Sequence, residues 1–137
     1  MNILLIESVT RHAEAGKLAL EAAGHQVEVL TDYDSVKIRA GVDVVVSEVF
    51  LDWHQGDGHP AQPWGLAVAA ICQQCGVPII LTMAGFHHSS WQVMAKAVAE
   101  PMKWPIVDTP AASSNYTGPK DWPEVIQQLR RIVMSRQ

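Results

Sequence analysis

Apolar residues in this chain come in short blocks separated by polar stretches of helical period. Ile3–Ile6 is an unbroken apolar run, which suits a strand buried on both faces. "TRHAEAGKLALEAAGH" follows, with Ala15, Leu18, Ala19 and Ala22 at helical spacing and Gly24 placed to stop the helix. "QVEVL" reads as a second strand, "DSVKIRA" as a brief helix ending near Gly41, and "DVVVSEVF" as a third strand. Residues 52–65, "DWHQGDGHPAQPWG", carry three Gly and two Pro and predict a loop. "LAVAAICQQC" resumes helical spacing, and "GVPIILTM" predicts a fourth strand. "SSWQVMAKAVAE" predicts a helix opened by a capping box, Ser89 with Gln92. "WPIVDTP" is a short fifth strand and "AASSNYTGPK" a second loop. The last helix, "DWPEVIQQLRRIVM", opens on a capping box of Asp121 and Glu124 and turns Val125, Ile126, Leu129, Ile132 and Val133 to the core.

This is a β-α unit repeated five times, the pattern of a doubly wound α/β domain with a parallel sheet and right-handed crossovers. A chain of 137 residues, 48% hydrophobic, is the size of one domain spanning 1–137. In such sheets ligands bind beyond the carboxyl ends of the strands. That edge collects Glu7, Ser8, Glu48, Asp52, Thr82 and Thr109, with His87 and His88 expected on the same side.

A net charge of −4 and scattered Lys and Arg give no footprint for nucleic acid or an anionic membrane surface. No apolar run has bilayer length, and "MNILLIES" enters a strand without a basic leader. A cytoplasmic location with reduced cysteines is therefore expected.

The segments "NILLIES", "LEAAGHQV", "VDVVVSEV", "GVPIILTMA" and "VDTPA" fall in an order and spacing that resembles the receiver domain of two-component response regulators. The resemblance implies a flavodoxin-like fold with strand order 2-1-3-4-5. It also implies a phosphorylation pocket: an acidic pair after the first strand, a phosphorylated Asp after the third, Thr or Ser then Ala after the fourth, and a Lys-Pro step after the fifth. Such a pocket uses Mg²⁺ on carboxylate oxygens, with a Lys ammonium and a hydroxyl on the phosphoryl oxygens. Here the matching positions are Glu7 and Ser8, Glu48, Thr82 with Met83, and Thr109-Pro110. One carboxylate of the pair is lost, and the acceptor is a methylene longer. Met83 is expected to crowd a phosphodonor's path, and the ammonium is expected to be missing unless Lys103 supplies it across a gap.

The chain is thus identified as a degenerate, pseudo-receiver-like member of that fold. It is expected to be a non-enzymatic signalling module with a degenerate pocket of Glu7, Ser8, Glu48, Thr82 and Thr109, and with Mg²⁺ only if the pocket still works. Glu48 is either an imitation of a phosphorylated side chain or an idle polar residue. The resemblance implies a contact face on the fourth helix, fifth strand and fifth helix, a regulatory protein partner and a plausible homodimer. Because the chain ends with the fifth helix, output is expected from a partner.

Two alternatives stand beside this. One is an atypical receiver that accepts phosphate at Glu48 or Asp52. The other is a small-molecule or metal-binding flavodoxin-like protein, with His54, His59, His87 and His88 near Asp52 or Asp57 as weak candidate ligands. "DWHQGD" fails the Asp-x-His-x-x-Gly signature of cobalamin domains at Asp57. Cys72 and Cys75 have redox spacing but fall at a helix C-terminus, where the dipole favours the neutral thiol. Of five Trp residues, Trp53, Trp64 and Trp104 are the suspected interface anchors. No Gly-rich phosphate loop follows the first strand and no Gly-x-Ser-x-Gly elbow occurs, which argues against a dinucleotide or P-loop enzyme and against a hydrolase of that class.

Overall fold

Three apolar runs form the middle of the sheet: β1 (Asn2–Ile6), β3 (Val44–Glu48) and β4 (Ile79–Met83). Every one of their residues except Asn2 is buried. The structure is a computed structural model that describes residues 1–31, 37–51, 62–84, 90–109 and 120–137. β2 (Gln26–Leu30), which alternates polar and apolar residues, forms one edge, and the short β5 (Ile106–Asp108) forms the other. All pairings are parallel and the order is β2-β1-β3-β4-β5. The register sets Ile6 beside Ser47 and Glu48 beside Thr82, so the polar ends of β1, β3 and β4 finish at one edge.

Four helices are present among the described residues: α1 (Thr10–Ala22), α2 (Gly65–Cys75), α3 (Ser90–Met102) and α4 (Trp122–Ser135). Strand alternation divides the core into two layers. Leu4, Ile6, Val45, Leu81 and Met83 pack with Val68, Ala69 and Cys72 of α2 and Ala95 of α3. Ile3, Leu5, Val44, Val46 and Ile80 pack with Leu20 of α1 and with Trp122, Val125 and Leu129 of α4.

Several expectations are corrected. α1 buries Ala13, Gly16 and Leu20, while Leu18 stands 72% exposed. The rotation follows from Trp122: a Cβ built on Gly16 would lie 2.5 Å from Trp122 Cη2, so the ring fits only over the residue without a side chain. The brief helix expected at 34–40 is not formed by its described part, where Lys37–Arg39 are irregular and a turn follows at Ala40–Gly41. Arg39 instead reaches the sheet edge, its Nε and Nη2 donating to Glu28 Oε2 at 2.8 and 2.6 Å. The fourth and fifth expected helices are therefore α3 and α4. α3 runs past Glu100 to Met102 and is closed by Lys103 at φ +58°, a position where glycine is usual. Ser89 and its capping box lie outside the described residues.

The suspected aromatic anchors resolve differently. Trp64 and Trp104 are half-buried against the α2–α3 layer, and Trp104 Nε1 donates to Gln73 Oε1 at 3.0 Å. Trp53 lies outside the described residues. Cys72 is buried and Cys75 exposed, both as free thiols. Burial pushes the Cys72 thiol up to about 12, the state of an inert core cysteine. No helix among the described residues is long and apolar enough to cross a membrane.

Candidate functional site

The site is assembled where β1, β3 and β4 end. β1 delivers Glu7 and Ser8 one and two residues past its last strand residue, Ile6, β3 ends on Glu48, and β4 presents Thr82. Backbone bonds hold these ends: Glu7 N donates to Leu30 O at 3.0 Å, and Val49 N to Thr82 O at 2.9 Å. The start of α2 presses on the same edge, with Gly65 N donating to Val49 O at 2.8 Å. A Cβ on Gly65 would lie 2.2 Å from Glu48 O, so only glycine lets the helix come this close.

The decisive residue is one that sequence reasoning missed. Lys120, immediately before the first turn of α4, turns its ammonium into this cluster and is 6% exposed. Its Nζ donates to Glu7 Oε2, donates to Thr82 Oγ1 at 3.2 Å, and lies 3.4 Å from Glu48 Oε1. Ser8 Oγ donates to Glu48 Oε2 at 3.0 Å. Glu7, Ser8, Glu48, Thr82 and Lys120 are all buried.

The expected absence of an ammonium is thus corrected, and so is its substitute. Lys103 stands just before β5, at the opposite edge of the sheet, and cannot reach the cluster. The signal for Lys120 was topological. In a parallel α/β domain each helix begins near the carboxyl edge of the strands, so a lysine just before the N-cap Asp121 lands where the acids collect.

Other expected members are sorted by strand alternation. Thr82 turns to Lys120, and Met83, 1% exposed, packs into the α2–α3 layer on the other face. Crowding of a donor path by Met83 is therefore not found. Thr109 N donates to Met83 O at 2.8 Å, but its Oγ1 is buried with no hydrogen-bond partner among the described residues and does not join the cluster. Asp52, His54, Asp57, His59, His87 and His88 lie outside the described residues. Among the described residues no group of three or more His, Cys, Asp or Glu is arranged to hold a metal ion.

Two carboxylates and one ammonium in a dry pocket do not all keep their ordinary charges. Burial pushes Glu7 up to about 8, against the pull of Lys120. Burial also pushes Glu48 up, but Lys120 and the hydrogen bonds from Glu7, Ser8 and Lys120 outweigh it and hold Glu48 below the usual carboxylate range. Lys120 touches Glu7 more closely than Glu48, which alone would favour an ionised Glu7; the burial of that carboxyl is the larger effect. Near neutral pH the pair behaves as a unit with one proton and one negative charge, which the ammonium balances.

Mg²⁺ is the metal that the resemblance implies. It asks for near-octahedral oxygen ligands and usually keeps several waters. Here each carboxylate already faces the ammonium, Ser8 stands where the second acid would be, and Ser8 spends its proton on Glu48. The residues present do not fit the ion.

No family model and no curated protein matches the sequence. Solved structures do match over the whole chain. A response regulator receiver protein from Pseudoalteromonas atlantica superposes with a TM-score of 0.70 at 13% identity, covering 100% of both chains. A putative response regulator from Chloroflexus aurantiacus gives 0.67 at 16% identity, covering 97% of each chain. The non-phosphorylated HemR receiver domain from Leptospira biflexa gives 0.62 at 18% identity, covering 96% of this chain and 93% of its own. At these identities the likeness establishes the fold: the chain has the architecture of response-regulator receiver domains.

Proposed function

We propose that this domain is a non-phosphorylatable pseudo-receiver, a cytoplasmic signalling module that acts by protein-protein contact and catalyses no reaction of its own. One observation carries the reading. The residue at the acceptor position, Glu48, is 8% exposed, with one oxygen taken by Ser8 and the other facing Lys120. An acceptor must offer a free carboxylate oxygen in line with a donor, and a misplacement of about 1 Å costs on the order of a hundredfold. Glu48 carries an extra methylene and is held by its neighbours, and the residue that follows Glu7, where the resemblance looks for a second acid, is Ser8. The contact face that the resemblance implies is α3, β5 and α4, and Lys96 of α3 ties to Asp108 of β5 at 2.8 Å along it. A regulatory protein, or a second copy of the chain, is the partner expected there.

A second reading draws on Lys120 and Thr82, the ammonium and hydroxyl that a working pocket would need, which do meet here. In that reading the domain is an atypical receiver accepting phosphate at Glu48. The two separate on incubation with acetyl phosphate and Mg²⁺ followed by intact mass measurement. We expect no adduct on the natural chain under conditions that label a working receiver. An adduct of one phosphoryl group overturns the pseudo-receiver reading.

A further inference from the structure

The structure assigns to Lys120 the role of the pocket's permanent cation: its ammonium holds the place between the Glu7 and Glu48 carboxylates that a divalent metal ion would need, and so closes the pocket to Mg²⁺ and similar ions. This deepens the pseudo-receiver reading and rests on the same pocket.

The argument is one of charge, space and tethering. Lys120 Nζ bonds Glu7 and Thr82 and stands 3.4 Å from Glu48, so three oxygens converge on a monovalent cation carried by the chain itself. Of the other described carboxylates at this edge, Asp108 is engaged by Lys96 at 2.8 Å and Asp121 accepts from Glu124 N. A divalent ion entering between Glu7 and Glu48 would stand beside the ammonium in a buried, poorly screened environment, where like-charge repulsion is strongest. The backbone that carries Lys120 is anchored, because Asp121 next to it caps α4 and Trp122 after it is buried against Gly16. Removing the ammonium while keeping the acids leaves two carboxylates and a hydroxyl facing one vacated space, an oxygen set suited to a hard divalent ion.

The test uses Mn²⁺ as the probe, read by the electron paramagnetic signal of the free ion and by thermal melting. The natural chain and Lys120→Met, which keeps an apolar stem, are titrated to about 10 mM, enough to fill about nine-tenths of a site with a Kd of about 1 mM. We expect the natural chain to leave the free Mn²⁺ signal and its Tm unchanged. We expect Lys120→Met to bind at least tenfold more tightly and to melt higher as Mn²⁺ is added. Mn²⁺ binding by the natural chain overturns the inference, as does a folded Lys120→Met that gains none. If Lys120→Met does not fold, Lys120→Gln takes its place and is read by the same criterion. Mn²⁺ binding by the natural chain without phosphoryl uptake refutes this inference and leaves the pseudo-receiver reading standing. Phosphoryl uptake refutes that reading.

Discussion

Lys120→Met tests the charge balance of the pocket through stability. The substitution keeps most of the buried stem and removes the only positive charge facing Glu7 and Glu48 among the described residues. Breaking a buried pair by removing one partner costs about 3–5 kcal/mol. The lower end, about 3 kcal/mol near pH 7, applies here, because Ser8 still donates to Glu48 and the pair already shares a proton. The loss must depend on pH. In the variant, Glu48 loses its counterion and binds a second proton as pH falls. The folded state then holds one more proton than the natural fold does, and each pH unit returns about 1.4 kcal/mol. Between pH 7 and pH 5 the deficit should shrink by about 1–3 kcal/mol. The natural chain has its own profile. Glu7, raised from 4.5 to about 8, contributes stability that declines as pH rises through that window. Glu48, lowered, contributes stability that is lost as pH falls below the ordinary carboxylate range. Urea unfolding followed by tryptophan fluorescence at pH 5 and pH 7 measures all of this. A deficit below about 1 kcal/mol at pH 7, or one equal at both pH values, would refute the placement of Lys120 between the two acids.

Three further outcomes are expected. Gly65→Ala should cost about 2–3 kcal/mol in urea unfolding, because its new Cβ meets the Glu48 backbone oxygen, whereas Gly16→Ala should cost about 1–2 kcal/mol, because its new Cβ meets the buried side chains of Trp122 and Leu5 and no backbone atom. Asp121→Ala should cost about 1 kcal/mol through loss of the N-cap bond to Glu124 N, and Asp121→Asn should retain most of it. Iodoacetamide should label Cys75 in the native protein and reach Cys72 only in denaturant, as peptide mapping by mass would show, since burial pushes the Cys72 thiol up to about 12.

The strands were legible because the signal is local, whereas their order in the sheet, β2-β1-β3-β4-β5, is what the receiver resemblance implies. Unbroken runs such as Ile3–Ile6 and Val44–Val46 suit only a strand covered on both faces, and helical spacing between them leaves a parallel sheet as the arrangement that buries every run. The edge that gathers Glu7, Ser8, Glu48 and Thr82 followed from the same logic, since each closes or follows a strand. The buried face of α1 did not follow. Alanines and leucines offered two overlapping stripes, and the choice of Ala13, Gly16 and Leu20 was made by Trp122, more than a hundred residues away.

The chemistry of the site divides the same way. From the sequence alone came the acids, the hydroxyls and the edge on which they stand, because residue type and strand endings are properties of neighbouring positions. Only the tertiary structure decided that a lysine belongs among them. Lys120 lies 11 positions beyond Thr109 and enters from the start of a helix, while Thr109, in the place where the resemblance looks for a lysine, stays out of the cluster. A buried ion pair is chosen by which groups the folded chain brings within a few ångströms, and no distance along the sequence encodes that separation.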